Sequence, residues 1–192
     1  MFRFQHFPAD SSRPARRLRL AAGFTVIELL MAITVMTVLT LIAVPGFNAM
    51  INNNRIRSDA GTLMANLATA RSEAARRGIS VTVCASSDGS SCLGTTADPS
   101  WVNGYIAFTD LDNNAAYDSS TETILLVNGP LATGLTVTPG SFTTGNRLRF
   151  SASGEATLTG TLTLCRSGYS GRVISINNAG RASSKTTTAL CS

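Results

Sequence analysis

The chain's 192 residues include one histidine, His6, one lysine, Lys185, and one tryptophan, Trp101, and only 14% of the side chains are charged. Each scarcity removes a class of chemistry. His6 lies in an arginine-rich stretch ahead of a long apolar run, so a chain trimmed of that stretch has no imidazole. That rules out imidazole acid/base triads and His-ligated zinc. A cysteine nucleophile loses its usual partner for the same reason. Lys185 stands beside Ser183 and Ser184 in a polar carboxy-terminal stretch, whereas a Ser/Lys dyad needs a buried amine. No glycine-rich phosphate cradle occurs. The composition argues against an enzyme and calls for no cofactor.

What the chain does have is one uninterrupted apolar run. From Phe24 to Val44, 21 residues, the only ionisable side chain is Glu28. As a helix the run is about 31 Å long, which matches a ~30 Å hydrocarbon core. A secretory signal fits poorly. The run is longer than an ordinary apolar signal region, it contains Glu28, and Leu41, Ala43 and Val44-Pro45 make no small-x-small cleavage pattern. Arg16-Arg17 is reminiscent of a twin-arginine signal, but paired arginines occur in any basic leader. A membrane anchor remains. Residues 1–23 hold five arginines against Asp10, so they stay cytoplasmic and everything beyond Val44 crosses the membrane. Four cysteines suit an exported domain.

A plain anchor leaves Glu28 unexplained, because a carboxylate inside a bilayer is costly and rarely lacks a partner. A protonated or self-neutralised Glu28 is one answer. A cut between Gly23 and Phe24 is another, since it creates an amino group four residues, about one helical turn, from Glu28. Gly23-Phe24-Thr25-Val26-Ile27-Glu28 resembles the prepilin processing site, Gly-Phe-Thr-x-x-Glu, of type IV pilins and type II secretion pseudopilins. The resemblance implies that a prepilin peptidase cleaves after Gly23 and N-methylates Phe24. It also implies that Glu28 neutralises the amino terminus of a neighbouring subunit during filament assembly on an inner-membrane platform.

Beyond Pro45, where a bend is expected, Ile56, Ala60, Leu63, Leu67, Ala70 and Ala74 follow spacings of 4, 3, 4, 3 and 4. That is one apolar helical stripe. Arg76-Arg77-Gly78 closes the pattern with cations and a glycine, as a helix end should. After Gly78 the pattern changes to short β-branched runs at 79–84, 105–109, 124–127, 135–138, 147–151, 161–165 and 172–176, separated by Gly, Pro, Asn and Asp. The predicted fold is α+β, a long amino-terminal transmembrane and amphipathic helix packed on an antiparallel β-rich domain. Its parts are a leader over 1–23, a helix over 24–77 with a membrane part at 24–44, and a periplasmic domain over 78–192. Four cysteines allow three pairings, and sequence position favours Cys84 with Cys92 and Cys165 with Cys191. A tetrahedral metal site does not suit their spacing of 7, 72 and 25 intervening residues.

Trp101-Val102-Asn103-Gly104, then Phe108-Thr109-Asp110-Leu111-Asp112, resembles a block of the GspH/FimT-type minor pilins. Arg147 to Gly154, the run ending in Cys165, and Arg172 to Ile176 with Gly180-Arg181 follow that family's order. The resemblance implies a minor subunit near the tip of a type IV filament machine, either a secretion pseudopilus or a pilus, with other pilins as partners. Trp101 is expected in the core. Asp110, Asp112, Asn114 and Asp118 look like the start of a calcium loop. However, Ala115 stands where glycine is usual and Glu122 comes one residue late, so an Asx-rich turn is favoured.

Charge is unevenly spread. Residues 78–144 hold six acids and no Lys or Arg, while 145–192 hold six basic residues against Glu155. The favoured consequence is a head-to-tail contact between subunits. A DNA receptor in natural transformation is the alternative, with Arg166, Arg172, Arg181 and Lys185 gripping phosphates. Some members of the resembled family bind DNA through a Gly-Arg-x-Arg element. Here Gly180-Arg181-Ala182-Ser183 keeps only its first half, and Lys185 follows two residues late.

Overall fold

The structure, a computed structural model, describes residues 23–94, 100–141 and 147–191. The predicted leader up to residue 22, with its arginines, lies outside the described residues, as does Asp98 of the acidic segment. The chain divides into two compact units, 1–43 and 44–192.

One helix, α1 (Val26–Arg77), runs through both units. Thr25 begins it: its hydroxyl accepts the Glu28 N–H at 3.2 Å, satisfying one of the otherwise unpaired amides of a helix start. Gly78 ends it in the left-handed region, φ 68°, with its N–H returned to the Ala74 carbonyl at 2.9 Å. A residue with a Cβ is strained in that conformation. In the last turns Arg76 and Arg77 both bond Glu73, at 2.6 and 2.7 Å. Those bonds hold the Glu73 carboxyl at about 2.

Nine strands follow: β1 (Val81–Ala85), β2 (Tyr105–Thr109), β3 (Ile124–Asn128), β4 (Thr136–Gly140), β5 (Arg147–Phe150), β6 (Ala156–Leu158), β7 (Thr161–Cys165), β8 (Ser170–Ile176) and β9 (Ala182–Leu190). They form two antiparallel sheets, ordered β3-β2-β1-β5-β6 and β4-β7-β8-β9. The seven predicted strands are all present within a residue or two of their bounds. β6 and β9 are additional.

The helical stripe read from the sequence is the centre of the core. Ile56, Ala60, Leu63, Leu67, Ala70 and Ala74 are each at most 2% exposed. They pack on Val81, Val83, Leu148 and Phe150 from one sheet and on Val137, Leu162, Leu164 and Ile174 from the other. In the second sheet, Leu162 and Leu164 face in while Thr161 and Thr163 alternate outward, the pattern of a sheet wet on one face. β1 and β2 are buried on both faces. Their second face carries a separate cluster of Cys84, Ile106 and Phe108, with Cys92, Tyr117 and Ile124 packed against it. Trp101 is buried in the main core, its ring 5.9 Å from that of Tyr105.

Cys84 is bonded to Cys92, and Cys165 to Cys191. The first bridge closes a loop in which Asp88 accepts the Ser91 hydroxyl at 2.7 Å and the Ser90 and Ser91 amides at 2.8 and 2.9 Å. Led by the Ser91 hydroxyl, these bonds push the Asp88 carboxyl well below its ordinary range. The second bridge ties the end of β9 beside β8 and leaves room only for glycine at position 171. A Cβ there would lie 2.6 Å from the Leu164 carbonyl and 2.8 Å from each sulfur.

Candidate functional site

No enclosed catalytic constellation is present among the described residues, so the candidate site is a set of surfaces. The first is the amino-terminal segment. Gly23 and Phe24 are exposed, Phe24 to 85%. Glu28 is exposed as well, at the third position of α1, and among the described residues no cation lies within salt-bridge distance of it. Thr25 was not singled out from the sequence. Its signal was there in Thr25-Val26-Ile27-Glu28, which has the Thr-x-x-Glu spacing of a capping box.

All side chains from 23 to 44 are exposed. The hydroxyls of this stretch bond within the helix: Thr34 donates to the Met31 carbonyl at 2.8 Å, Thr37 to Ile33 at 2.8 Å and Thr40 to Met36 at 3.0 Å. The stretch thus offers an apolar surface whose threonine donors are already satisfied, the requirement for a helix in lipid.

The second surface is the loop of residues 110–123. Asp110 is fully buried. Its carboxylate accepts Arg149 Nε at 2.9 Å, the Thr82 hydroxyl at 2.6 Å and the Ala115 amide at 3.2 Å. Asp112 and Asn114 close successive Asx turns, Asp112 accepting the Asn114 amide at 3.1 Å and Asn114 the Ala116 amide at 2.6 Å. Asp118 accepts the Ser120 amide at 2.9 Å and hydroxyl at 2.7 Å, and these two bonds lower its pKa. Carboxylate oxygens of Asp110, Asp112 and Glu122 lie within 4.8 Å of one another, while the Asp118 carboxylate is not part of that group. Glu122, which sequence reasoning placed outside the ligand set, is 7% exposed and accepts the Leu111 and Asp118 amides at 2.9 and 3.0 Å. A cation here would have to displace protein donors already in place.

The third set is the basic residues of the last third. Arg149 is spent inside the fold on Asp110. Burial lowers the pKa of Arg147 beside it, and the Asp110 charge acts in the opposite direction. Arg166 sits in the turn before β8 and donates to the Thr133 carbonyl at 2.7 Å. Arg181 lies in the turn after β8, at the strand's other end. Seven strand residues at ~3.3 Å each separate them by about 20 Å. Arg172 pairs with Leu164 and Thr186, on the face turned toward α1, whereas Lys185 pairs with Val173 on the opposite face. The four candidate DNA contacts are therefore not gathered on one surface.

Two concavities adjoin these cations. A groove of about 610 Å³ is lined by Gly61, Ala65, Ala68 and Arg71 of α1 together with Gly154 and Arg181. Gly180, at φ 73°, shapes it: a Cβ there would run into the Gly154 carbonyl, which Arg71 Nε binds at 2.8 Å. A smaller polar cavity of about 170 Å³ contains Arg57 and Arg172.

Residues 59–180 match the family model described as type II transport protein GspH. The chain is 25% identical to the type IV minor pilin FimU of Pseudomonas aeruginosa, with a TM-score of 0.50 over 69% of this chain and 98% of that one. A second crystal form of FimU gives the same score and identity over 72% and 96%. The minor pseudopilin EpsH of the Vibrio cholerae type 2 secretion system is 14% identical, with a TM-score of 0.46 over 70% of this chain and 99% of that one. No curated protein matches the chain.

Proposed function

The chain belongs to the GspH family of type II transport proteins, and from that membership we propose that it is a minor subunit built into the tip region of a type IV filament machine. The observation that carries this reading is the contrast between the two parts of α1. Its second half buries an apolar stripe on both sheets, whereas, among the described residues, the apolar side chains from Phe24 to Val44 are all exposed. The first half holds fourteen exposed large apolar side chains from Phe24 to Val44. At about 1.5–3 kcal/mol each, keeping them in water costs on the order of 20–40 kcal/mol, beyond the ~5–15 kcal/mol that holds a domain folded. They need a membrane first and other subunits afterwards.

On this reading Gly23 and Phe24 are the cleavage and methylation positions, and Glu28 meets the free amino end of a neighbouring subunit. The domain beyond Val44 is periplasmic, and an inner-membrane platform receives the subunit. The DNA-receptor reading has weaker support, since its cations are dispersed over the fold. Co-production of the full chain with a prepilin peptidase tests the proposal. Mass spectrometry should find a mature chain beginning at N-methylated Phe24, and Glu28→Leu should be depleted at least tenfold from sheared filaments while still being processed. A chain of unchanged length in the presence of the peptidase would refute the assignment.

A further inference from the structure

We propose that the groove between α1 and the turns at Gly154 and Gly180 receives the 110–123 loop of a second copy of the chain, with Leu111 against its apolar wall and Asp112 paired with Arg181. The groove, of about 610 Å³, is lined by Arg71 and Arg181 and by no carboxylate. Among the described residues neither arginine has an acid within salt-bridge distance. Arg71 engages the Gly154 carbonyl through Nε at 2.8 Å, and Arg181 is exposed. The acids nearest to them in sequence are committed elsewhere. Glu73 is held by Arg76 and Arg77, and Glu155 lines a different concavity with Asn178 and Ala179. The α1 wall presents Gly61, Ala65, Ala68 and Ala75, which offer no side-chain donor or acceptor. Two unneutralised cations beside an apolar wall call for an occupant that is apolar and acidic together.

The chain carries such an occupant on its other side. Among the described residues beyond Ile51, the exposed large apolar side chains are Leu111, Val127 and Leu190. Leu111 alone of these has an acid beside it, the exposed Asp112, and Asp118 is exposed in the same loop. The loop's other acids, Asp110 and Glu122, are buried and already bonded. Its outward character therefore comes from Leu111, Asp112 and Asp118. The loop lies over the outer face of β1 and β2, where Tyr117 packs on Cys84, Ile106 and Phe108. α1 and its groove lie on the inner face. A groove and an occupant on opposite faces of one sheet make a head-to-tail contact, which leaves a free groove at one end of a row of copies and a free loop at the other. That is the symmetry of a filament and not of a closed dimer. A nucleic-acid strand would find two cations here and no use for the apolar wall.

This inference rests on the reading of the chain as a filament subunit, and its test separates the two. Full-length chain with a photo-crosslinking residue in place of Ser119, exposed in the loop, is produced in bacterial membranes with the prepilin peptidase, and crosslinked peptides are mapped by mass spectrometry. The expected product is a dimer of this chain joined from the loop to residues 61–75 or 180–182. Arg181→Glu, Asp112→Arg and Leu111→Ser should each lower the dimer yield about tenfold. Arg55→Gln, an exposed arginine outside the groove, should leave it unchanged. Co-produced Arg181→Glu and Asp112→Arg chains should recover the yield, because the reversed groove of one then meets the reversed loop of the other; misfolded variants would show no such rescue. Equal dimer yield in all three variants overturns the proposal, as does a crosslink from position 119 to a different protein alone. So does a duplex-DNA gel shift lost in Arg181→Glu while the dimer yield holds, which would give the groove to nucleic acid. A chain left unprocessed by the peptidase refutes the filament-subunit reading instead, and the crosslink between copies is still read on it.

Discussion

Asp110 should be the most stability-sensitive acid in the chain. It is 0% exposed, and Arg149, its ion-pair partner at 2.9 Å, keeps 14% of its side chain in contact with solvent. Arg149 Nε also reaches the Thr82 hydroxyl at 3.3 Å, which in turn donates to Asp110, so the three side chains form a closed set. Asp110→Ala leaves a mostly buried guanidinium without its carboxylate and frees the Ala115 amide. Removing one member of a buried pair costs about 3–5 kcal/mol. The residual exposure of Arg149 places the expected loss near the lower end, about 3 kcal/mol. With a urea slope of about 2 kcal/mol per molar, the midpoint should fall by about 1.5 M. Trp101, the single tryptophan, is buried in the main core, and its fluorescence reports the transition for full-length chain in detergent under oxidising conditions. Asp110→Leu with Arg149→Met removes both charges and should recover most of the loss. A loss below about 1 kcal/mol in the single variant, or a double variant as unstable as the single, would refute the claim that the pair holds the 110–123 loop to the sheet.

Gly171→Ala places a methyl group against the Leu164 carbonyl and both sulfurs of the Cys165–Cys191 bridge. Thiol titration should find two free cysteines in part of the population, with stability lowered by about 1–3 kcal/mol from overpacking; fully oxidised protein of unchanged Tm would contradict this. Burial raises the Tyr105 hydroxyl to about 12, and Asn66, bonding it at 2.8 Å, offsets this only in part. The folded pKa lies above the unfolded value of 10.0, so the stabilisation is complete below about pH 10 and fades as pH rises toward 12, by at most about 2–3 kcal/mol. Tyr105→Phe should flatten that alkaline limb in urea titrations, and an unchanged limb would locate its cause elsewhere. Because Asp110 is committed to Arg149 and Glu122 to two amides, calcium and a chelator should give the same Tm. A rise with calcium that is lost in Asp112→Asn would show that those oxygens can be recruited.

Features carried by apolar periodicity could be read directly from the chain. The six stripe residues of α1 and the seven strands with apolar cores all depend on burial, and burial leaves a periodic trace in sequence. β9 left none. Its nine residues, Ala182-Ser183-Ser184-Lys185-Thr186-Thr187-Thr188-Ala189-Leu190, sit at the edge of their sheet and are mostly exposed. Their strand character comes from pairing with β8 and from the bridge to Cys191, not from an apolar face. β6 is three residues long and equally silent. The charge segregation was legible only in its totals. Segments 78–144 and 145–192 look like opposite poles, yet Asp110 and Arg149 neutralise each other inside one molecule, and Glu122 is turned into its own loop. What remains for a neighbouring subunit is smaller than the composition suggests.

That internal pairing changes how assembly should be understood. If the acidic and basic segments were both free, electrostatics alone would set the order of subunits, and salt would dissolve the contact. With Asp110 and Arg149 paired inside the fold, the large unsatisfied quantity is the exposed apolar surface of residues 24–44, whose burial kosmotropic salts strengthen. The remaining cations then act locally. Arg181 flanks a groove lined by Gly61, Ala65 and Ala68, narrow residues that admit close approach, and Arg57 and Arg172 line a smaller cavity of the domain. On the proposed reading the apolar helix holds the subunit and charge contributes less. High salt should leave its association largely intact, whereas a detergent that covers the exposed helix should reverse it.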